Sequence, residues 1–145
     1  MAANTTPIFT LVANKGINTG LRLTTANTTR DLSTTTNGGL LFTAGASGSR
    51  VEAIDFVHSA TSQTQASIAT VGRVFLCDSA IGGSPRLIKE IALTAVTPSA
   101  IAIGATFTMT FTTPLFLATG KHLWATISAT QTTGQYDINC YGGDY

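Results

Sequence analysis

The sequence predicts an all-β protein, a single antiparallel β-sandwich with jelly-roll-like topology. Three observations lead there. Helix signals are weak throughout, because Thr, Gly, Ser, Val and Ile dominate and no window sustains apolar residues at i, i+3, i+4 and i+7. Several segments instead alternate apolar and hydroxylated residues, which puts one face of a strand in a core and the other in water. Turn clusters separate these segments at short intervals with no helical pattern between them, which favours a sandwich over a βαβ fold.

Taken in order, the candidate strands are Ile8 to Val12, Leu21 to Thr25, Leu40 to Thr43, Arg50 to His58, Ile68 to Cys77 and Arg86 to Leu93. The clearest comes next, where Phe107, Met109 and Phe111 alternate with Thr106, Thr108 and Thr110. It is expected to end at Pro114, which has no N–H to give to a sheet ladder. Leu123, Ala125, Ile127 and Ala129 then alternate with Trp124, Thr126 and Ser128, and after the connection TQTTG the pattern returns in Tyr136, Ile138 and Cys140 against Asp137, Asn139 and Tyr141. The turns are NKG, NGG, AGASGS, SATSQTQ, DSAIGGSP and TPS. Ala95 to Ala105 fits a loop, a helical turn or an edge strand, and Pro98 argues against a regular central strand. Phe107, Met109, Phe111, Leu123, Ile127 and Ile138 are the expected core. Residues 1–7, MAANTTP, are small and polar and are read as a flexible arm that becomes ordered on a neighbour, leaving 8–145 as one sandwich domain.

Composition narrows the function. Only 10% of the chain is charged, against about 25% in ordinary globular domains, while 43% is hydrophobic. Hydroxyls must therefore supply most of the wettable surface. They cost less to desolvate than ions, so the surface suits packing against other subunits. The eight basic residues stand singly and the net charge is +1, so the electrostatic footprint of a nucleic-acid binder is missing. No apolar stretch approaches the roughly 18 residues of a membrane helix, and MAANTTPIF lacks the pattern of a signal peptide, so the expectation is a chain made in the cytosol and not bound to membrane. In that compartment Cys77 and Cys140 are expected as separate buried thiols rather than a disulfide.

Candidate chemistry is sparse. Asp55, His58 and Ser59 lie close in sequence, but on a strand Asp55 faces away from His58, so no local relay forms and His58 is expected to cap the strand end. His122 is read as a polar surface residue. Neither histidines nor cysteines have metal-ligand spacing, and no two carboxylates sit together on one strand face. GASGS and IGGS do not precede helices and are turns, not phosphate cradles. Asn4-Thr5-Thr6 and Asn27-Thr28-Thr29 match the glycosylation sequon without a secretory signal to give it meaning. Neither an enzyme, a cofactor nor a metal site is indicated. Trp124 and Tyr141 fall on the polar faces of their strands, and with Pro7 and Tyr145 they are the candidate interface residues.

The ordered pieces LTTANTTRDLSTTTNGGLLFTAGASGSRVEAIDF, VGRVFLCDS, LIKEIALTAVTPS and HLWATISATQTTGQYDINCYGGDY resemble small β-sandwich virion proteins of tailed bacteriophages. The shared scheme is a Thr/Asn-rich start, an LFTAG hairpin, an RVFL strand and a terminal GGDY, and it spans nearly the whole chain. The resemblance implies a capsid decoration or cement protein, or a part of the tail, located in the virion. The implied partners are further copies of itself, with a trimer preferred, and the major capsid protein or tail proteins. In the terminal GGDY the glycines are expected to turn the backbone and Tyr145 to plug an adjacent pocket. The competing expectation is a carbohydrate- or receptor-binding module of a tail fibre or spike, with an open Trp124 stacking on a sugar face.

Overall fold

The structure, a computed structural model, describes residues 12–13 and 20–145. These hold nine strands and no helix: β1 (Val12–Ala13), β2 (Leu21–Leu23), β3 (Gly38–Thr43), β4 (Ser49–Ser59), β5 (Thr70–Cys77), β6 (Arg86–Leu93), β7 (Thr106–Leu117), β8 (His122–Ile127) and β9 (Gln135–Asp144). One sheet has the order β1-β9-β4-β7, with β2 also pairing along β9; the other has the order β3-β8-β5-β6. Every pairing is antiparallel. Four strands, β2-β9-β4-β7, thus face another four, β3-β8-β5-β6, in the two-sheet arrangement of a jelly roll. The expected fold class is the observed one. The arm at residues 1–7, and the proposed strand from Ile8 apart from Val12, lie outside the described residues.

Alternation decides which side chains fill the space between the sheets. In β4, Val51, Ile54, Phe56 and His58 are buried while Arg50, Asp55, Val57 and Ser59 are only partly so. Met109, Leu123, Ile127 and Ile138 are 1% exposed or less, as the pattern requires. Phe107 and Phe111 pack against this core but stay partly open, because β7 has a neighbour on one side only.

Pro114 does not end its strand. The β4–β7 register steps from Ala53↔Thr110 to Val51↔Leu115, so residues 111–114 bulge out opposite the single residue Glu52. In an unpaired bulge on an edge strand, the missing proline N–H removes no ladder bond. Residues 115–117 then re-pair with β4 and carry the strand to Leu117. The doubtful stretch from Ala95 to Ala105 is a loop, tied to the body where Val96 pairs with Ser67 and closed at its tip by a Ser99↔Ala102 bridge.

A second, smaller cluster lies on the outer face of the β3-β8-β5-β6 sheet. There Leu32, Phe75, Cys77 and Trp124 are buried under the connection between β2 and β3. Asn27 organises that connection. Its Nδ2 donates to the Thr34 and Thr36 carbonyls at 2.7 and 2.9 Å, and its Oδ1 accepts from the Thr29 N–H and hydroxyl. With Asn27 only 2% exposed and its amide fully used, the sequon match at this position is an internal turn and not a glycan site. Arg73, 7% exposed, reaches out of β5 to donate to the Asn27 carbonyl at 3.2 Å and to Glu90 Oε1 at 2.9 Å. Leu32 has φ 54°, a conformation costing an L-residue about 1–2 kcal/mol. Burying its side chain returns about 1.5–3 kcal/mol, enough to hold it there.

Candidate functional site

Trp124 points away from the inter-sheet core, as alternation requires, yet it is only 9% exposed. The β2–β3 connection covers it through Leu32, a tertiary contact that strand periodicity cannot reveal. It is therefore not an open aromatic platform, which corrects the exposure expected of it; its Nε1 is buried without a hydrogen-bond partner. Tyr141 does face outward, next to Ala53 of β4 and diagonal to Asp55. The neighbouring Asp55 carboxylate, by hydrogen bonding and charge, raises the Tyr141 phenol above its usual pKa. Pro7 lies outside the described residues.

Tyr145 stacks on Phe116, with ring centroids 6.3 Å apart and planes 16° from parallel. Phe116 is 65% exposed. The pair walls a concavity of about 560 Å³ whose floor and rim include Ala46, Gly48, Leu117 and Ala118. Tyr145 thus contributes to a pocket on its own chain. Its N–H donates to the Gly48 carbonyl at 3.1 Å, which fixes the chain end. Immediately before it, Asp144 Oδ1 accepts from Ser49 Oγ at 2.6 Å and from the Gly45 N–H at 3.1 Å. The glycines of GGDY belong to β9 rather than to a turn. A Cβ on Gly142 would stand 2.3 Å from the Arg50 carbonyl, so glycine is needed there because two backbones approach closely at the β4 bulge.

The opposite end of the same sheet carries a different surface. His58, 6% exposed at the end of β4, sits edge-on to Tyr136 at 6.1 Å, and Tyr136 donates its hydroxyl to Ser67 Oγ at 3.1 Å. Burial lowers the His58 pKa, and its Nε2 has no hydrogen-bond partner. The residue walls an open cleft of about 570 Å³ between residues 59–63 and the loop 98–104. Asp55 lies on the outer face of the sheet and His58 on the inner one, so the structure does not bring them together. Beyond the cleft, Ile101 is 98% exposed and Ile103 is 94% exposed.

Among the described residues, no three His, Cys, Asp or Glu side chains are grouped to hold a metal ion. Cys77 and Cys140 are both free and buried, as expected. Cys140 belongs to the inter-sheet core and Cys77 to the outer cluster, so a sheet separates them. His122 is half-buried and lies 3.1 Å from Thr43 Oγ1 across the β3–β8 pair.

Phe116 and the two isoleucines are the surface features that sequence reasoning missed. Phe116 was hidden by the expectation that Pro114 closes the strand. Ile101 and Ile103 lie in the stretch whose periodicity was ambiguous, and the signal there was an uncharged apolar run between Pro98 and Gly104. Comparison with protein-family models, with curated proteins and with solved structures finds no match to this chain.

Proposed function

We propose that this chain is a non-enzymatic virion protein of a tailed bacteriophage, a decoration or cement protein that stabilises the head as a homo-oligomer through protein–protein contacts. The observation that carries the reading is the loop tip bearing Ile101 and Ile103, almost wholly in solvent on a chain with little charge to keep it apart from partners. Single exposed apolar residues are ordinary, but an uncharged tip with two such isoleucines flanked by alanines is what an association surface needs. The residues that resemble phage virion proteins support the same reading in a structural role, since the LFTAG hairpin and the GGDY end meet through Gly45, Ser49 and Asp144. A cement protein acts by many modest contacts multiplied by symmetry, which requires a rigid frame and interface surfaces rather than a reaction centre. The major capsid protein is the shell partner, and three copies at a local threefold point is the preferred assembly.

Mass spectrometry of purified particles tests this directly. Copy numbers approaching that of the capsid protein support decoration, whereas twelve copies or fewer move the chain to the tail.

The exposed Phe116–Tyr145 stack supports a second reading, a carbohydrate- or receptor-binding module of a tail fibre or spike. Trp124 no longer serves that reading, because its own chain covers it. Glycan-array binding that vanishes in Phe116→Ala, with assembly intact, favours the tail; loss of assembly with no glycan signal favours decoration.

A further inference from the structure

We propose that copies of this chain join head to tail, the Ile101/Ile103 tip of one copy seated in the Phe116/Tyr145 concavity of the next. This deepens the homo-oligomer reading above and rests on it. The two surfaces lie at opposite ends of one strand pair. Thr106, just after the tip loop, is paired with Val57, and Leu117, in the concavity, is paired with Ser49. Along β4 that separation is roughly 25–30 Å at about 3.3 Å per residue. A protrusion and a recess at opposite ends of one strand pair cannot satisfy each other within one chain, so each needs another copy. They suit a heterologous contact, which closes into a ring or runs on as a filament.

The chemistry of the two surfaces matches. The tip is Pro98-Ser-Ala-Ile-Ala-Ile-Gly104 and holds no charge, and its backbone is closed by reciprocal Ser99 and Ala102 hydrogen bonds at 3.3 and 3.2 Å. It is thus a formed knob that loses little conformational freedom on docking. The concavity is lined by alanine, glycine, leucine, two aromatic rings and hydroxyls, with no charged side chain among them. The free edge of β7 is a poorer joint, since its bulge at 111–114, Pro114 and the Lys89 ammonium bonded to the Thr110 carbonyl interrupt it. Knob and recess together are smaller than a standard interface, so a single contact is weak and ring closure or the shell must reinforce it.

The test uses the full chain and two variants, Ile101→Asp/Ile103→Asp at the tip and Phe116→Asp in the recess. All these side chains are mostly in solvent, so melting temperatures should match the parent and show that both variants fold. Sedimentation at up to about 1 mM, the weak end of specific affinity, should show the parent self-associating and each variant alone monomeric. An equimolar mixture of the two variants should form dimers and stop there, because only one intact knob and one intact recess remain per pair. A parent that stays monomeric at every concentration overturns the inference, as does a Phe116→Asp chain that still self-associates or a mixture that stays monomeric. A chain abundant on particles yet monomeric in solution defeats this inference alone. A chain that forms rings but is absent from particles defeats the virion reading instead.

Discussion

Asp144 and Ser49 are joined side chain to side chain at 2.6 Å, and the bond ties the end of β9 to the start of β4. The same Asp144 oxygen accepts the Gly45 N–H, and Ser49 Oγ accepts it too at 2.9 Å, so three groups close the AGASGS turn around one carboxylate. This turn also forms one side of the Phe116/Tyr145 concavity. Ser49 is 1% exposed, so removing its partner leaves a buried hydroxyl without its acceptor.

Asp144→Ala should therefore destabilise the fold by about 1–3 kcal/mol, the range for an orphaned buried polar group. Ser49→Ala should cost less, because Asp144 retains the Gly45 N–H. Urea unfolding of the two single variants and the double variant gives the coupling directly. Additive effects would show that the bond contributes nothing of its own.

Arg73 holds the β2–β3 connection, and with it the cover over Trp124. Glu90 accepts from Arg73 at 2.9 Å and from Arg30 at 2.5 Å, and these bonds, Arg73 first, keep its carboxyl below the usual range. Arg73→Ala should cost about 1–3 kcal/mol, because it orphans the buried Asn27 carbonyl while Glu90 keeps Arg30, whereas Arg30→Ala, at an exposed site, should cost below about 1 kcal/mol. The Arg73 variant should also shift Trp124 fluorescence to longer wavelength as the cover loosens. An unshifted spectrum with lowered stability would show that Leu32 alone keeps the indole dry.

The strands were legible in the sequence because their faces differ sharply. Thr106 to Phe111 and Tyr136 to Tyr141 alternate without interruption, and their inward residues are those the alternation names. The surfaces were much less legible. Trp124 was placed on the correct face, but whether a face is wet depends on what the β2–β3 connection covers, and no local pattern encodes that. Pro114 misled for a related reason, since a proline's cost depends on whether its N–H would have had a partner, which is a property of the sheet edge. Gly142 read as a turn residue although close backbone approach is what demands it.

Both cysteines should be inert in the folded chain. Burial pushes the Cys140 thiol up to about 12, and burial together with the nearby Asp78 charge raises Cys77. The thiolate is the reactive species, so little of it exists at neutral pH. A chromogenic disulfide reagent should find no fast-reacting thiol in buffer and two in denaturant. One fast thiol in buffer would mean that the cover over Cys77 opens readily.

His58 should make the fold weaken in mild acid. Burial lowers its pKa below the ordinary 6.5, so the unfolded chain binds the proton more readily than the folded one. Stability is then unaffected at higher pH and falls as pH drops below about 6.5 toward the lowered folded value. The carboxylates Asp31, Asp78 and Glu90 are held below their ordinary values by Ser33, Lys121 and Arg73 respectively, so they add their own losses only at lower pH. His58→Phe keeps an aromatic ring against Tyr136 and removes both the titration and the unpartnered Nε2. Its unfolding free energy should change less between pH 7 and about 5.5 than that of the parent, whatever its absolute stability, since the comparison is of slopes. Parallel slopes for the two proteins would mean that the loss in that window comes from another group.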